Sequence, residues 1–212
     1  MRFSCFQRSG SPLPVTGPSQ STGFRIIQQM RRYRRVLPAP IAILTLVVFE
    51  PVSTGSEILE SLANCVSIAL CGLGESLRFW AWGSNVNRGP SGIRDRGPYA
   101  IMRHPLYLGN LLIVFGIATI FNNPWVYGLS LLPFAFLYFF IAQGDEIYMR
   151  SRFGANYEEY SDRVTRRFLP KLSQLSASLR STRPLGWKLA VHKEFDSCCA
   201  WLAGLSGLGV YK

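Results

Sequence analysis

One stretch of thirteen residues concentrates the groups able to bind charge: Gly97-Pro98-Tyr99-Ala100-Ile101-Met102-Arg103-His104-Pro105-Leu106-Tyr107-Leu108-Gly109. Gly-Pro opens a turn, and Pro105 suits the first turn of a helix, where its missing N–H costs nothing. Arg103 and His104 therefore stand just before a helix N-terminus, whose unpaired amides favour an anion. A carboxylate or phosphate held there would have Tyr99 and Tyr107 beside it. The plainer alternative is a belt of basic and aromatic residues at a membrane interface. Further along, Asp145 and Glu146 set two carboxylates side by side, and Glu75 and Arg78 stand at i, i+3, on one face of a helix.

The elements that must position these groups are apolar runs. Residues 105–121 and 124–142 hold 17 and 19 residues without Asp, Glu, Lys or Arg, separated only by Asn122-Asn123. Residues 61–82 form a further run, interrupted by Asn64, Glu75 and Arg78, and 37–52 a shorter one with a single charge, Glu50. In lipid every backbone amide must find a partner within its own segment, so these runs are expected to be helices. The expected architecture is an all-α integral membrane protein of about four transmembrane helices (37–52, 61–82, 105–121 and 124–142) with a C-terminal cytoplasmic cap over 143–170. A tight hairpin at Asn122-Asn123 returns the chain, so Arg103 and His104 should meet Asp145 and Glu146 in space. Gly72-x-Gly74 would let another helix approach closely.

Charge distribution gives the topology. The chain has 212 residues, 48% of them hydrophobic and 17% charged, with a formal net charge of +11 and a mean hydropathy of +0.15. Seven arginines and no acidic residue occupy 1–38, a basic leader compatible with an organelle transit peptide. The 53–60 connection has no Lys or Arg, whereas 83–104 carries Arg88, Arg94, Arg96 and Arg103 against Asp95. By the bias of Lys and Arg towards the cytoplasm, both termini and the 83–104 loop face that side, in a multi-pass protein. So segregated a charge argues for membrane orientation and against a nucleic-acid partner. The five cysteines are odd in number and lack a CxxC spacing, so neither a disulfide framework nor a metal site is expected. The leader (1–38), a membrane domain (39–170) and a tail (171–212) are the expected divisions. The tail's last apolar stretch reads as too short to span, and His192 as a surface residue.

Gly97-Pro98-Tyr99 with Arg103-His104-Pro105-Leu106-Tyr107-Leu108-Gly109 resembles the GPYxxxRHPxYxG signature of the isoprenylcysteine carboxyl methyltransferase family and its bacterial relatives. The run from Asp145-Glu146 through Phe153-Gly154, Tyr157, Tyr160 and Arg163-Val164 to Phe168-Leu169-Pro170 is similar to the family's second motif, and Leu77-Arg78-Phe79-Trp80-Ala81 to its LRxWA stretch. The resemblance spans roughly residues 70–170. It implies an integral-membrane methyltransferase that uses S-adenosylmethionine. It also implies cofactor contacts at Tyr99, His104, Pro105, Leu106, Tyr107, Asp145 and Glu146, and more loosely at 91–94. Arg103 and Glu146 are the residues expected to serve catalysis.

Three positions depart from the family pattern: Asp145 stands where it has Glu, Thr165 where it has Pro, and Ile141-Ala142-Gln143 where eukaryotic members place an arginine. Methyl transfer from a sulfonium is an in-line displacement in which the protein chiefly positions the reactants and excludes water. A carboxylate acceptor needs no general base, whereas an amine or hydroxyl does; Glu146 and His104 are the groups at hand. The favoured expectation is carboxyl O-methylation of a lipid-like or prenylcysteine-like acceptor reaching the site from the bilayer. Its rivals are a phospholipid N-methyltransferase, a nicotinamide-dependent membrane reductase, and a non-enzymatic membrane protein whose basic arm binds anionic lipid.

Overall fold

The computed structural model describes residues 48–53, 55–84, 92–165, 167–181 and 186–210, and the regular structure among them is helical, without strands. The leader 1–38 and most of the 37–52 run lie outside the described residues. The helices are α1 (Glu57–Gly83), α2 (Pro105–Phe121), α3 (Pro124–Phe153), α4 (Ala155–Arg163), α5 (Leu175–Ser181) and α6 (Trp187–Val210), with single 3-10 turns at Gly97–Ala100 and Leu172–Gln174.

Two helices, α1 and α3, are long and apolar enough to cross a membrane. Only 17% and 33% of their apolar windows are buried within the protein. Side chains such as Ile58, Trp125, Leu132 and Phe136 therefore point outward, each at least 67% exposed. So much outward apolar surface suits lipid as the solvent. Helix α2, uncharged but 17 residues long, is shorter. Of the four spans expected, α1 and α3 thus meet the requirement. From the 37–52 run, Phe49 packs on the Phe121 cluster, and Val52 N–H donates to the Phe121 carbonyl at 2.9 Å.

Helices α6, α1, α2 and α3 lie side by side, each antiparallel to the next. The α1–α2 seam is close because it is built on small residues. A Cβ at Gly74 would meet the Gly109 carbonyl at 2.6 Å, and one at Gly116 would meet Cys71 Sγ at 2.6 Å and the Ser67 carbonyl at 2.9 Å. Where lipid removes the hydrophobic drive between helices, such backbone proximity and its dispersion contacts hold them together. Gly72 has nothing within 4 Å, so Gly74 alone of that pair makes the crossing.

The hairpin expected at Asn122-Asn123 is present. Asn122 takes the left-handed conformation (φ 48°), which Asn tolerates better than most residues, and the Asn123 side chain caps α3 by accepting from Trp125 N–H at 3.0 Å. One boundary differs. The helix begun at Pro124 does not stop near Gln143 but runs unbroken to Phe153 and ends at Gly154, where φ is +51°. At roughly 1.5 Å per residue its length is about 45 Å, well beyond a hydrocarbon core of about 30 Å. The polar stretch 143–153 is therefore the part of α3 that projects past the apolar segment. The described residues of the tail include α5 and α6, and α6 lies against α1, where Gly186 N–H donates to the Gly83 carbonyl at 3.0 Å.

Candidate functional site

The site forms where the projecting end of α3 meets the loop before α2. Because α2 and α3 are a tight antiparallel pair, the first turn of α2 faces the last turns of α3. Glu146, only 5% exposed, receives three basic groups: Arg103 Nη1 at 3.1 Å, His104 Nε2 at 3.2 Å and Arg167 Nη2 at 3.2 Å. Burial alone would raise its pKa. The His104 hydrogen bond and the charges of Arg103 and Arg167 outweigh that, holding the carboxyl below its ordinary range. An ionised, thrice-engaged carboxylate is a weak proton acceptor and a firm anchor for the groups around it.

Asp145 accepts a hydrogen bond from the Tyr107 hydroxyl. The Tyr107 ring stacks on His104 (centroids 5.3 Å apart, planes 14° apart) on one side and on Tyr138 (5.1 Å, 14°) on the other. The loop 97–104 is braced from behind by the segment after α4. His104 N–H donates to the Arg167 carbonyl at 2.9 Å, Lys171 N–H to the Ile101 carbonyl at 3.2 Å, and the Ser178 hydroxyl to the Gly97 carbonyl. Arg103 Nη2 donates to the carbonyl of Thr165 at 3.2 Å. From α4, the Tyr160 hydroxyl donates to the Tyr99 carbonyl at 2.9 Å. Burial pushes the phenols of Tyr157 and Tyr160 up, so both remain protonated donors.

Above this floor is a cavity of about 360 Å³, within the size range of small-molecule sites. Of the residues singled out in the sequence, Tyr99, Arg103, His104 and Asp145 line it. Pro105, Leu106, Tyr107 and Glu146 are not in its wall. Tyr107 and Glu146 lie behind it, holding Asp145, Arg103 and His104, while Pro105 is buried at the start of α2. Gly92, Ile93 and Arg94 from the 91–94 loop also line the cavity, and Ser91 lies outside the described residues.

Sequence reasoning missed Tyr148, Met149 and Arg152, which fall three, four and seven residues after Asp145 and so share its helix face. That spacing was the signal, hidden by ending the helix too early. Phe153, Tyr157 and Tyr160, part of the motif but not assigned to the site, complete the wall. Arg152 is held by the Tyr148 hydroxyl at 2.8 Å and packs over the Phe153 ring at 5.5 Å, while Arg94 lies 5.8 Å from the Trp82 ring. Two guanidiniums at the cavity are thus seated on aromatic faces, with no carboxylate partner among the described residues. Among the described residues no group of three His, Cys, Asp or Glu side chains could hold a metal ion.

In this all-helical arrangement a charged cavity sits at the end of outward-apolar helices. Residues 66–156 match the family model described as phospholipid methyltransferase, an integral-membrane family related to the isoprenylcysteine carboxyl methyltransferases. The cavity lining falls within that segment except for Tyr157 and Tyr160. Among curated proteins, the cobalt-zinc-cadmium resistance protein CzcN of Cupriavidus metallidurans is 35% identical over 77 residues, covering 36% of this chain and 35% of that protein. The chain therefore spans about a third of the length of the curated relative it matches. No solved structure matches.

Proposed function

We propose that this chain transfers a methyl group from S-adenosylmethionine to the carboxylate of a lipid-like or prenylcysteine-like acceptor that enters from the bilayer. The observation that carries the reading is the cavity wall itself, where Arg103 and His104 face Asp145 beneath the phenols of Tyr99, Tyr157 and Tyr160. These residues suit the cofactor. Among the described residues the buried Arg103 Nε has no acceptor, and it would take the amino-acid carboxylate. Asp145 would receive the amino group or ribose hydroxyls, and the aromatic wall the adenine. When bound, S-adenosylmethionine supplies an electrophilic methyl, whose C–S bond breaks, its electron pair returning to sulfur, as the acceptor's O–C bond forms.

The chain's own part is positioning. Glu146 stays ionised and keeps Arg103 and His104 in place, while the braced 97–104 loop and α4 enclose the reacting atoms and limit water. An acceptor carboxylate gives up no proton, so the lack of a poised base is no obstacle. Arg94 and Arg152, seated on rings at the cavity edge, supply charge for an anionic acceptor. The Lys and Arg bias of the 83–104 loop supports a cytoplasmic opening in a multi-pass protein, with the bilayer as the acceptor's reservoir.

The second reading is phospholipid N-methylation, favoured by the description of the matching family. Here the acceptor amine must shed a proton, for which His104, in the cavity wall, is the group at hand. Incubating membranes that contain the protein with methyl-labelled S-adenosylmethionine separates the two. A carboxyl methyl ester releases volatile label in mild base, whereas a methylated amine retains it in the lipid headgroup. Labelled phospholipid headgroup without base-labile label contradicts the favoured reading.

A further inference from the structure

Arg78 is a largely buried cation near the end of an apolar helix, costly to desolvate and therefore in need of an explanation. Its side chain is 15% exposed, and the guanidinium engages three helices at once. Nε and Nη2 donate to Glu194 Oε2 on α6 at 2.8 and 2.5 Å, Nη1 donates to Asn110 Oδ1 on α2, and Glu75 on its own helix lies 3.8 Å away. Glu194, with 3% of its side chain exposed, lies outside the segment that matches the methyltransferase family.

The contacts continue towards the cavity. Asn110 Nδ2 donates to the Tyr138 hydroxyl at 2.8 Å, Tyr138 stacks on Tyr107, and Tyr107 both donates to Asp145 and stacks on His104. The stem of Arg78 crosses Gly109, the last glycine of the first motif, where a Cβ would come within 2.6 Å of Arg78 Cγ. The motif glycine therefore makes room for Arg78. A buried ion pair is a poor device for raw stability, since well-packed apolar side chains of the same volume do as well or better. A branched, hydrogen-bonded guanidinium instead fixes the relative register of the helices that carry it.

We propose that Arg78, anchored by Glu194 of the C-terminal helix, is a positioning residue of the cavity, acting through Asn110 and Tyr138 on the Tyr107 ring that orients Asp145 and His104. Helix α6 is then a working part of the site and not an appendage. For its effect on turnover the proposal rests on the methyl-transfer reading above; its structural core does not.

The test uses the full chain in detergent, with Arg78→Gln and Asn110→Ala as probes. Phe121→Ala, a cavity at the far end of α2, serves as a control that lowers Tm without touching the chain of contacts. The protein has two histidines, His104 and His192, so histidine-labelled samples give two imidazole signals, with His192→Gln assigning them. Both probes should move the His104 resonance, because its ring-stacked neighbour shifts, and Phe121→Ala should leave it in place. Both should also lower kcat/KM for S-adenosylmethionine about tenfold or more per folded molecule, the scale of a modest misplacement at a reacting centre. An unmoved His104 signal in both probes, or an equal movement in Phe121→Ala, overturns the proposal. Absence of methyl transfer by the wild type would defeat the methyltransferase reading alone, since the resonance still decides the positioning role.

Discussion

His104 Nε2 lies 3.2 Å from Glu146 Oε1, joining the loop before α2 to the far end of α3. The two residues are 42 positions apart in sequence, and the Asn122-Asn123 turn is what brings them together. Arg103 and Arg167 converge on the same carboxylate, so behind the cavity wall one buried acid is gripped by three basic groups.

Removing that acid leaves its three partners crowded. Glu146→Gln should destabilise the protein by on the order of 3 kcal/mol, the cost of breaking a buried pair by deleting one partner. Thermal denaturation in detergent checks this: the variant's Tm should fall clearly below that of the wild type, and an unchanged Tm would mean the cluster is not stabilising.

The same group predicts a pH dependence. Its folded-state pKa is depressed below the ordinary 4.5, so the stability it contributes is present above that value and lost as pH falls through the lower, folded one. Arg103, His104 and Arg167 face it, with Tyr157 nearby. The stability gap between wild type and Glu146→Gln should therefore not shrink between neutral pH and 4.5, and should shrink below it. Denaturation midpoints measured across that range would show the opposite pattern if the carboxylate were ordinarily protonated in the fold.

The helix seam offers a contrast among glycines. Gly74→Ala places a Cβ within 2.6 Å of the Gly109 carbonyl, whereas Gly72→Ala meets nothing within 4 Å. The first should force α1 and α2 apart and lower Tm and yield. The second should be neutral, or stabilising by about 0.5–1 kcal/mol through helix propensity. Equal effects from the two would count against the crossing described.

Substitutions at Arg94 and Arg152 should separate acceptor binding from cofactor binding. Replacing each with Gln should raise the acceptor KM severalfold while leaving S-adenosylmethionine affinity within about twofold, since their charges sit at the cavity edge. Steady-state kinetics with each substrate varied in turn reads this directly, and a matching loss of cofactor affinity would reassign them to the cofactor.

Much of this was visible in the residues, and what was not has physical causes. Helix α2 begins at Pro105 and ends at Phe121 as expected, because a proline and an asparagine turn punctuate an uncharged run. The meeting of Arg103 and His104 with Glu146 follows from that turn alone. The extension of α3 to Phe153 was hidden because Asp145 and Glu146 look like an ending in a hydropathy reading. A helix leaving the bilayer changes its solvent without changing its backbone. Asn110 and Tyr138 carry no charge, so their hydrogen bond is invisible inside runs that read as lipid-facing. Glu194 pairs with a residue 116 positions away, and no local spacing announces such a partner.

The central claim is tested most directly by equilibrium binding of labelled S-adenosylmethionine to the purified protein, alongside His104→Ala and Asp145→Asn. Saturable binding by the wild type, weakened about tenfold or more in both variants, is the predicted result. No binding by the folded wild type, or binding that neither substitution alters, would contradict the site described.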